Sequence, residues 1–330
     1  MHQENKAYTT STNPQVNTIR RRRRSPAFVL ALLLCATILI ASIYVITSAD
    51  DSYGNNLPVA NYDNPQAAHD GYNPQTPALP THANIQENNQ AEPQVLSFEQ
   101  LSEISNDHLL LINIDNAVPP YISGNLARIS DYIRALNPDT LLDEYVLAML
   151  TILFDSAADM GFTQFRVTQG FRTHEYQQAL FDNASNQDLV ALPGHSEHQV
   201  GLAVDISYEG VNIGNSVQGT WLMENSYRYG FILRYPQHKT EITGIPFEPW
   251  HYRYVGQPHA YFMTRNDLVL EEYINFLRAI GELTITLNGD RYRVKYLHGP
   301  GETIEIPANY TFWASLDNTG GIIVTLRRFS

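Results

Sequence analysis

The sequence predicts a domain of mixed helices and strands, reached through an apolar span and a polar tether and followed by a small β-rich unit. Three observations carry this reading. Ala27 to Ile46 form a run without a single charge. Between residues 95 and 280, helix-patterned segments alternate with short β-patterned ones. Asn288-Gly289 then sits between two alternating arms, a strong hairpin signal.

The apolar run matches the hydrocarbon core of a bilayer, about 30 Å at roughly 1.5 Å per residue. Arg20 to Arg24 precede it, and Asp50 and Asp51 follow it. The positive-inside rule therefore makes residues 1–26 a basic cytoplasmic segment and 27–47 a single-pass transmembrane anchor, with the remainder outside the cell membrane. A signal peptide cleaved after Thr47-Ser48-Ala49 is the alternative. Cys35, the single cysteine, lies inside the run. That placement excludes an intramolecular disulfide framework, a thiolate-rich zinc site and a cysteine nucleophile.

The formal net charge is −13, and residues 1–26 hold a surplus of basic residues, so the rest of the chain is more acidic still. Such a surface argues against nucleic acid as a partner, and an anionic substrate would need capture by a local arginine. Residues 48–94 are rich in Asn, Gln, Pro and Ala and contain an imperfect echo, Tyr62-Asp63-Asn64-Pro65-Gln66 against Tyr72-Asn73-Pro74-Gln75. This composition predicts a disordered linker with a reach on the order of 40 Å.

Order is expected from about Val95. In the 95–280 domain, the patterning predicts strands at Leu109–Ile114, Phe165–Thr168, Gly201–Tyr208, Phe231–Tyr235 and Pro249–Val255. Helices are predicted at Leu126–Leu136, Leu141–Met160, His174–Asn183, Ser216–Tyr229 and Asn266–Ile280. Residues 281–330 form the β-rich unit, with the hairpin in Leu283–Leu297 and strands at Tyr310–Leu316 and Ile322–Phe329. No role is assigned to it.

The chemistry concentrates in Gly194-His195-Ser196-Glu197-His198-Gln199-Val200-Gly201-Leu202-Ala203-Val204-Asp205. A histidine on a loop, a glycine that lets the backbone turn and an aspartate on the next strand can converge on one cation. Glu248-Pro249-Trp250-His251 offers the third ligand. His198, Asp205 and His251 would then leave the fourth tetrahedral position of a zinc ion open to water, with Glu248 as a base outside the ligand set. Taken singly, each of these residues reads as a surface histidine, a cap or a solvated charge; together they point to a metal site.

The patterns Ser196-x-His198-x-x-Gly201-x-x-x-Asp205 and Glu248-x-x-His251 resemble the metallopeptidase family of VanY-type D-alanyl-D-alanine carboxypeptidases and L,D-carboxypeptidases, distantly related to the hedgehog-type zinc fold. Thr168 to Gln177 is similar to that family's Ser-Gly-Tyr-Arg-Ser block, with Gln169 and Phe171 as departures. The resemblance covers roughly residues 109–277. It implies an α+β fold in which a small antiparallel sheet carries the zinc site and helices pack behind it. It also implies one Zn2+ per chain on His198, Asp205 and His251, with catalysis by Glu248 and Arg172. Arg172 would bind the polarised carbonyl or a terminal carboxylate. Gln177 and Ser196 are further candidates for substrate contacts, the alternatives being a helix-surface amide and a hydroxyl that stabilises its own loop. Trp250 and Tyr252 flank His251 and either wall the pocket or simply pack beside it; His174, His195 and His259 are left as non-ligands, since three protein ligands fill an open zinc site. The implied substrate is a peptidoglycan stem peptide, trimmed of its C-terminal D-alanine at a D-Ala-D-Ala end. An L,D-carboxypeptidase acting on tetrapeptide stems and a non-catalytic zinc-bearing wall receptor are the alternatives.

Overall fold

The computed structural model describes residues 85–89, 92–120 and 124–328. The expected cytoplasmic segment, the transmembrane anchor and most of the linker lie outside the described residues. Among the described residues no helix is long and apolar enough to cross a membrane.

Along the chain come β1 (Gln86–Asn88), β2 (Gln94–Ser97) and α1 (Phe98–Glu103), which opens on a Ser97/Gln100 capping box. β3 (Leu126–Arg128) and β4 (Leu141–Asp143) lead into α2 (Glu144–Asp159). Asp143 caps α2, its side chain accepting from the amides of Tyr145 and Val146 at 3.0 Å each. There follow β5 (Phe165–Gln169), α3 (His174–Asn183), β6 (Ala203–Tyr208), α4 (Val217–Asn225), β7 (Phe231–Leu233), the single turn α5 (Thr240–Thr243) and β8 (His251–Tyr254). The chain ends with α6 (Gln257–Arg265), α7 (Leu270–Ile280) and strands β9 (Glu282–Leu287), β10 (Asp290–Leu297), β11 (Thr303–Ile306), β12 (Tyr310–Leu316) and β13 (Ile322–Arg328).

β5, β6, β8 and β7, in that order, make an antiparallel sheet. Its inner face, with Phe165, Val167, Val204 and Ile206, packs in one core with Leu147, Leu150 and Phe154 of α2. The second sheet has the order β1-β12-β13-β10-β9, and the pair β2–β11 closes a core of Leu96, Leu101, Ile304, Ile306, Phe312 and Val324. The Asn288-Gly289 turn joins β9 to β10 with both residues at positive φ (52° and 82°), as a two-residue hairpin turn requires.

The structure differs from expectation in several elements, among them the start of the helix expected at Leu141–Met160, where Leu141–Asp143 is β4 and α2 begins at Glu144. Residues 86–88, placed in the linker, pair with 310–312 and belong to the second sheet. Leu126–Leu136 is a strand and a 3-10 turn (Ile129–Asp131), because Leu126–Arg128 pairs with Leu141–Asp143 and tertiary pairing overrides local helix preference. Leu109 to Ile112 are buried as expected, but their amides find separate partners, Ser315 Oγ for Leu109 and the Asp317 carbonyl for Leu111, so no ladder forms. The helix expected at Asn266–Ile280 begins at Leu270. A separate helix, α6, precedes it, with Pro at its first turn, where a missing N–H costs nothing.

His259 ties α6 to both neighbours. Its Nδ1 lies 2.7 Å from the Tyr273 hydroxyl and its Nε2 lies 3.0 Å from Thr325 Oγ1 of β13. Burial pushes its pKa down to about 3, whereas an unfolded histidine titrates near 6.5. Below pH ~6.5 the unfolded chain takes up a proton that the folded one refuses, so stability is greatest above that pH and falls progressively towards pH ~3. We expect acidification from pH 7 to 5 to cost about 1–2 kcal/mol through this residue. Denaturant midpoints across that range should fall less in His259→Gln; an equal fall would remove His259 as the cause.

Candidate active site

The register of the first sheet builds the site. Asp205 on β6 lies directly opposite His251 on β8, so both project from one face where their side chains meet. His251 Nδ1 is 3.0 Å from Asp205 Oδ1. His198 arrives from the 3-10 turn Glu197–Val200, which ends at Gly201 with φ 71°. A Cβ at Gly201 would lie 3.2 Å from the Asp143 amide, so glycine is needed for both the turn and the close approach of β4. His198 Nδ1 lies 2.7 Å from the carbonyl of Gly170, which leaves Nε2 facing Asp205 Oδ1 at 3.4 Å. All three side chains are buried, and one ligand atom from each falls within 4.8 Å of the others.

Two imidazole nitrogens and one carboxylate oxygen with room for a fourth ligand suit a zinc ion with an open position. The electrostatics agree. Burial alone would raise the pKa of Asp205, yet the adjacent His198 and His251 hold it well below the ordinary carboxylate range. Burial depresses His198, whereas Asp205 and Glu197 outweigh burial at His251 and push it up to about 9. The pocket is thus poised for positive charge.

Arg172 follows β5, and its backbone amide donates to the His198 carbonyl at 3.0 Å. Its guanidinium reaches Asp205 Oδ2, Gln177 Oε1 and Gln169 Oε1 at 3.3, 3.3 and 3.4 Å. Glu248 Oε2 stands 3.8 Å from His251 Nδ1, and its side chain is 22% exposed; burial pushes its pKa up. Arg172, Ser196, Glu248 and the three potential ligands all line a cleft of about 570 Å³. Tyr176, Leu189 and Trp250 add an apolar wall to it.

Two expectations need correction. Gln177 is fully buried and uses both ends of its amide on the protein, donating to the Ala191 carbonyl at 2.8 Å and accepting from Arg172. Its amide oxygen faces Arg172, and its side chain does not line the cleft. Tyr252 is fully buried within the core of the first sheet. Strand alternation puts it on the face opposite His251. Trp250 alone of that pair lines the cleft.

A family model described as VanY, D-alanyl-D-alanine carboxypeptidase, matches residues 139–257. A D-alanyl-D-alanine carboxypeptidase of Enterococcus faecium is 34% identical over 233 residues, spanning 68% of this chain and 76% of the relative. The chain belongs to the VanY-type D-alanyl-D-alanine carboxypeptidase family. A second such carboxypeptidase, from Enterococcus faecalis, is 42% identical over 184 residues, 51% of this chain and 65% of its own length. The crystal structure of the vancomycin-resistance D,D-dipeptidase VanXYg with a D-Ala-D-Ala phosphinate analogue superposes with a TM-score of 0.63 at 29% identity. It covers 72% of this chain and 99% of VanXYg, so the VanY-type fold described above is shared over most of the described residues.

Behind the family motifs stands a group that their spacing does not reveal. Glu197, between Ser196 and His198, is buried, and its Oε1 accepts from Arg234 Nε and Arg253 Nη1 at 2.8 Å each. Arg234 also makes a two-pronged pair with Glu271 of α7, at 2.8 and 2.9 Å. Burial would raise the Glu197 pKa, but the two arginines outweigh it and keep the carboxylate ionised. The available signal was two arginines, Arg234 and Arg253, in or beside strongly apolar strands, where a cation needs an anion.

Proposed function

We propose that the protein is a zinc-dependent D,D-carboxypeptidase that removes the terminal D-alanine from peptidoglycan stem peptides. One observation carries this: in a single cleft, the buried His198/Asp205/His251 set has Arg172 against Asp205 and a half-buried carboxylate, Glu248, against His251. Bound to those three side chains, zinc supplies Lewis acidity and acidifies water. Arg172 offers its fork of donors to the substrate's terminal carboxylate or to the carbonyl oxygen as that oxygen gains charge. Glu248 takes a proton from the attacking water and delivers it to the amine of the departing D-alanine, so that a C–O bond forms as the C–N bond breaks. Ser196, although buried, lines the cleft and does not cap the 3-10 turn that follows it, which supports a contact with the peptide. The apolar wall of Tyr176, Leu189 and Trp250 suits methyl-bearing D-alanine residues.

The arginine run and the apolar span of residues 27–47 support a location on the outer face of the cell membrane, where such stems are found. Mass spectrometry tests both parts. The zinc-loaded domain should release D-alanine from a peptide ending in D-Ala-D-Ala; release only from one ending in a lone D-alanine would make it an L,D-carboxypeptidase. In cells carrying the full chain, wall pentapeptides should become tetrapeptides while the cytoplasmic precursor pool stays pentapeptide. Trimmed precursors in the cytoplasm would overturn the orientation.

A further inference from the structure

Among the described residues, two buried side-chain atoms next to the site face each other without any other partner. They are His251 Nε2 and Glu197 Oε2, 3.5 Å apart. Everything around them is committed. Glu197 Oε1 already holds both arginines. Arg253 also donates to the carbonyls of His108, Leu110 and Tyr254, and Arg234 is closed by Glu271. Two carboxylates and two guanidinium groups balance in charge, which offsets the desolvation of each and fixes all four in place. The ring of Tyr235 lies over His251, with centroids 4.8 Å apart, and limits the ring's rotation.

We propose that Glu197 is a positioning residue for the metal centre: it accepts the Nε2 proton of His251 and thereby leaves the Nδ1 lone pair directed at the ion beside Asp205. Arg234, Arg253 and Glu271 act one step further out by fixing Glu197. A free imidazole divides its proton between two nitrogens, and only the tautomer with Nδ1 bare can bind metal through that atom. A carboxylate accepts and cannot donate, so it selects one tautomer and also makes the ring a better donor of electrons to the metal. The inference rests on the zinc reading of the site given above.

Glu197→Gln separates this role from mere neutralisation of the arginines. The amide has one acceptor oxygen, and two guanidinium groups claim it, so its NH2 must turn towards His251. Facing a donor, Nε2 becomes an acceptor and the proton moves to Nδ1, where zinc must displace it. By 15N-detected NMR of the imidazoles, metal-free wild type should carry a His251 proton on Nε2, facing Glu197, whereas the metal-free variant should carry its proton on Nδ1 alone, facing Asp205. Competition with a fluorescent zinc chelator should show affinity lowered by roughly 10- to 100-fold, the usual effect of removing such a supporting group. A folded variant that binds zinc within twofold of wild type would overturn the proposal. Should the variant not fold, the zinc-loaded wild-type protein decides, because its His251 proton must reside on Nε2; a proton on Nδ1 refutes the assignment. Wild-type protein that binds no zinc at all would instead refute the underlying zinc reading.

Discussion

Glu248→Gln should retain its zinc and its melting temperature while kcat for D-alanine release falls by about 10²- to 10⁴-fold, the range for loss of a general base. The amide has the shape of the carboxylate and can still bind water, but it cannot take a proton. Among the described residues the ion pair of its carboxylate is the 3.8 Å approach to His251, at the site itself. The backbone of Glu248 donates to the Tyr235 carbonyl and accepts from the His251 amide, and both bonds survive the change. Its carboxylate stands outside the ligand set. Because Glu248 would also protonate the leaving amine, the loss should lie towards the upper end of the range. Rate and metal content measured on the same preparation distinguish the outcomes. Lost zinc would make Glu248 a ligand, and full activity with full zinc would require another base.

His198→Ala, Asp205→Ala and His251→Ala should each abolish activity and weaken zinc binding well beyond the roughly 10- to 100-fold expected for a supporting residue. The three are not equivalent. Removing either histidine takes away one nitrogen donor, whereas Asp205→Ala also leaves the Arg172 guanidinium without its carboxylate at 3.3 Å. A largely buried arginine without its anion is destabilising. Asp205→Ala should therefore show a lower melting temperature than the two histidine variants. Inductively coupled plasma measurement of bound zinc after dialysis reads the first effect, and full occupancy in all three would sink the ligand assignment.

Local signals in the sequence were reliable where the chemistry itself is local. α3 occupies His174–Asn183 as expected, started by the Thr173 side chain accepting from the Tyr176 amide at 3.2 Å. The potential ligands converge because strand register brings Asp205 opposite His251. Legibility ends where partners are far apart in the chain. Glu197 meets Arg234 across 37 residues and Arg253 across 56, and no spacing rule joins them. Gln177 reads as either a substrate contact or a helix-surface amide, because only the tertiary fold brings the Ala191 carbonyl to it. Leu126 to Leu136 carries helix-compatible apolar spacing, but pairing with β4 decides its conformation. Tyr252 is different, since the two-residue period of a strand already places it opposite to His251.

Glu271, which closes the ion pairs behind the metal centre, belongs to the helix that runs directly into β9. In this chain the β-rich unit and the catalytic sheet are therefore tied by shared buried ion pairs. A recombination event that exchanged the segment from α7 onwards for an unrelated ending would strand Arg234 in the interior with only half of its anions, and would also remove the Tyr273 and Thr325 partners of His259. Any new ending would have to bring its own carboxylate for Arg234 and its own partners for His259.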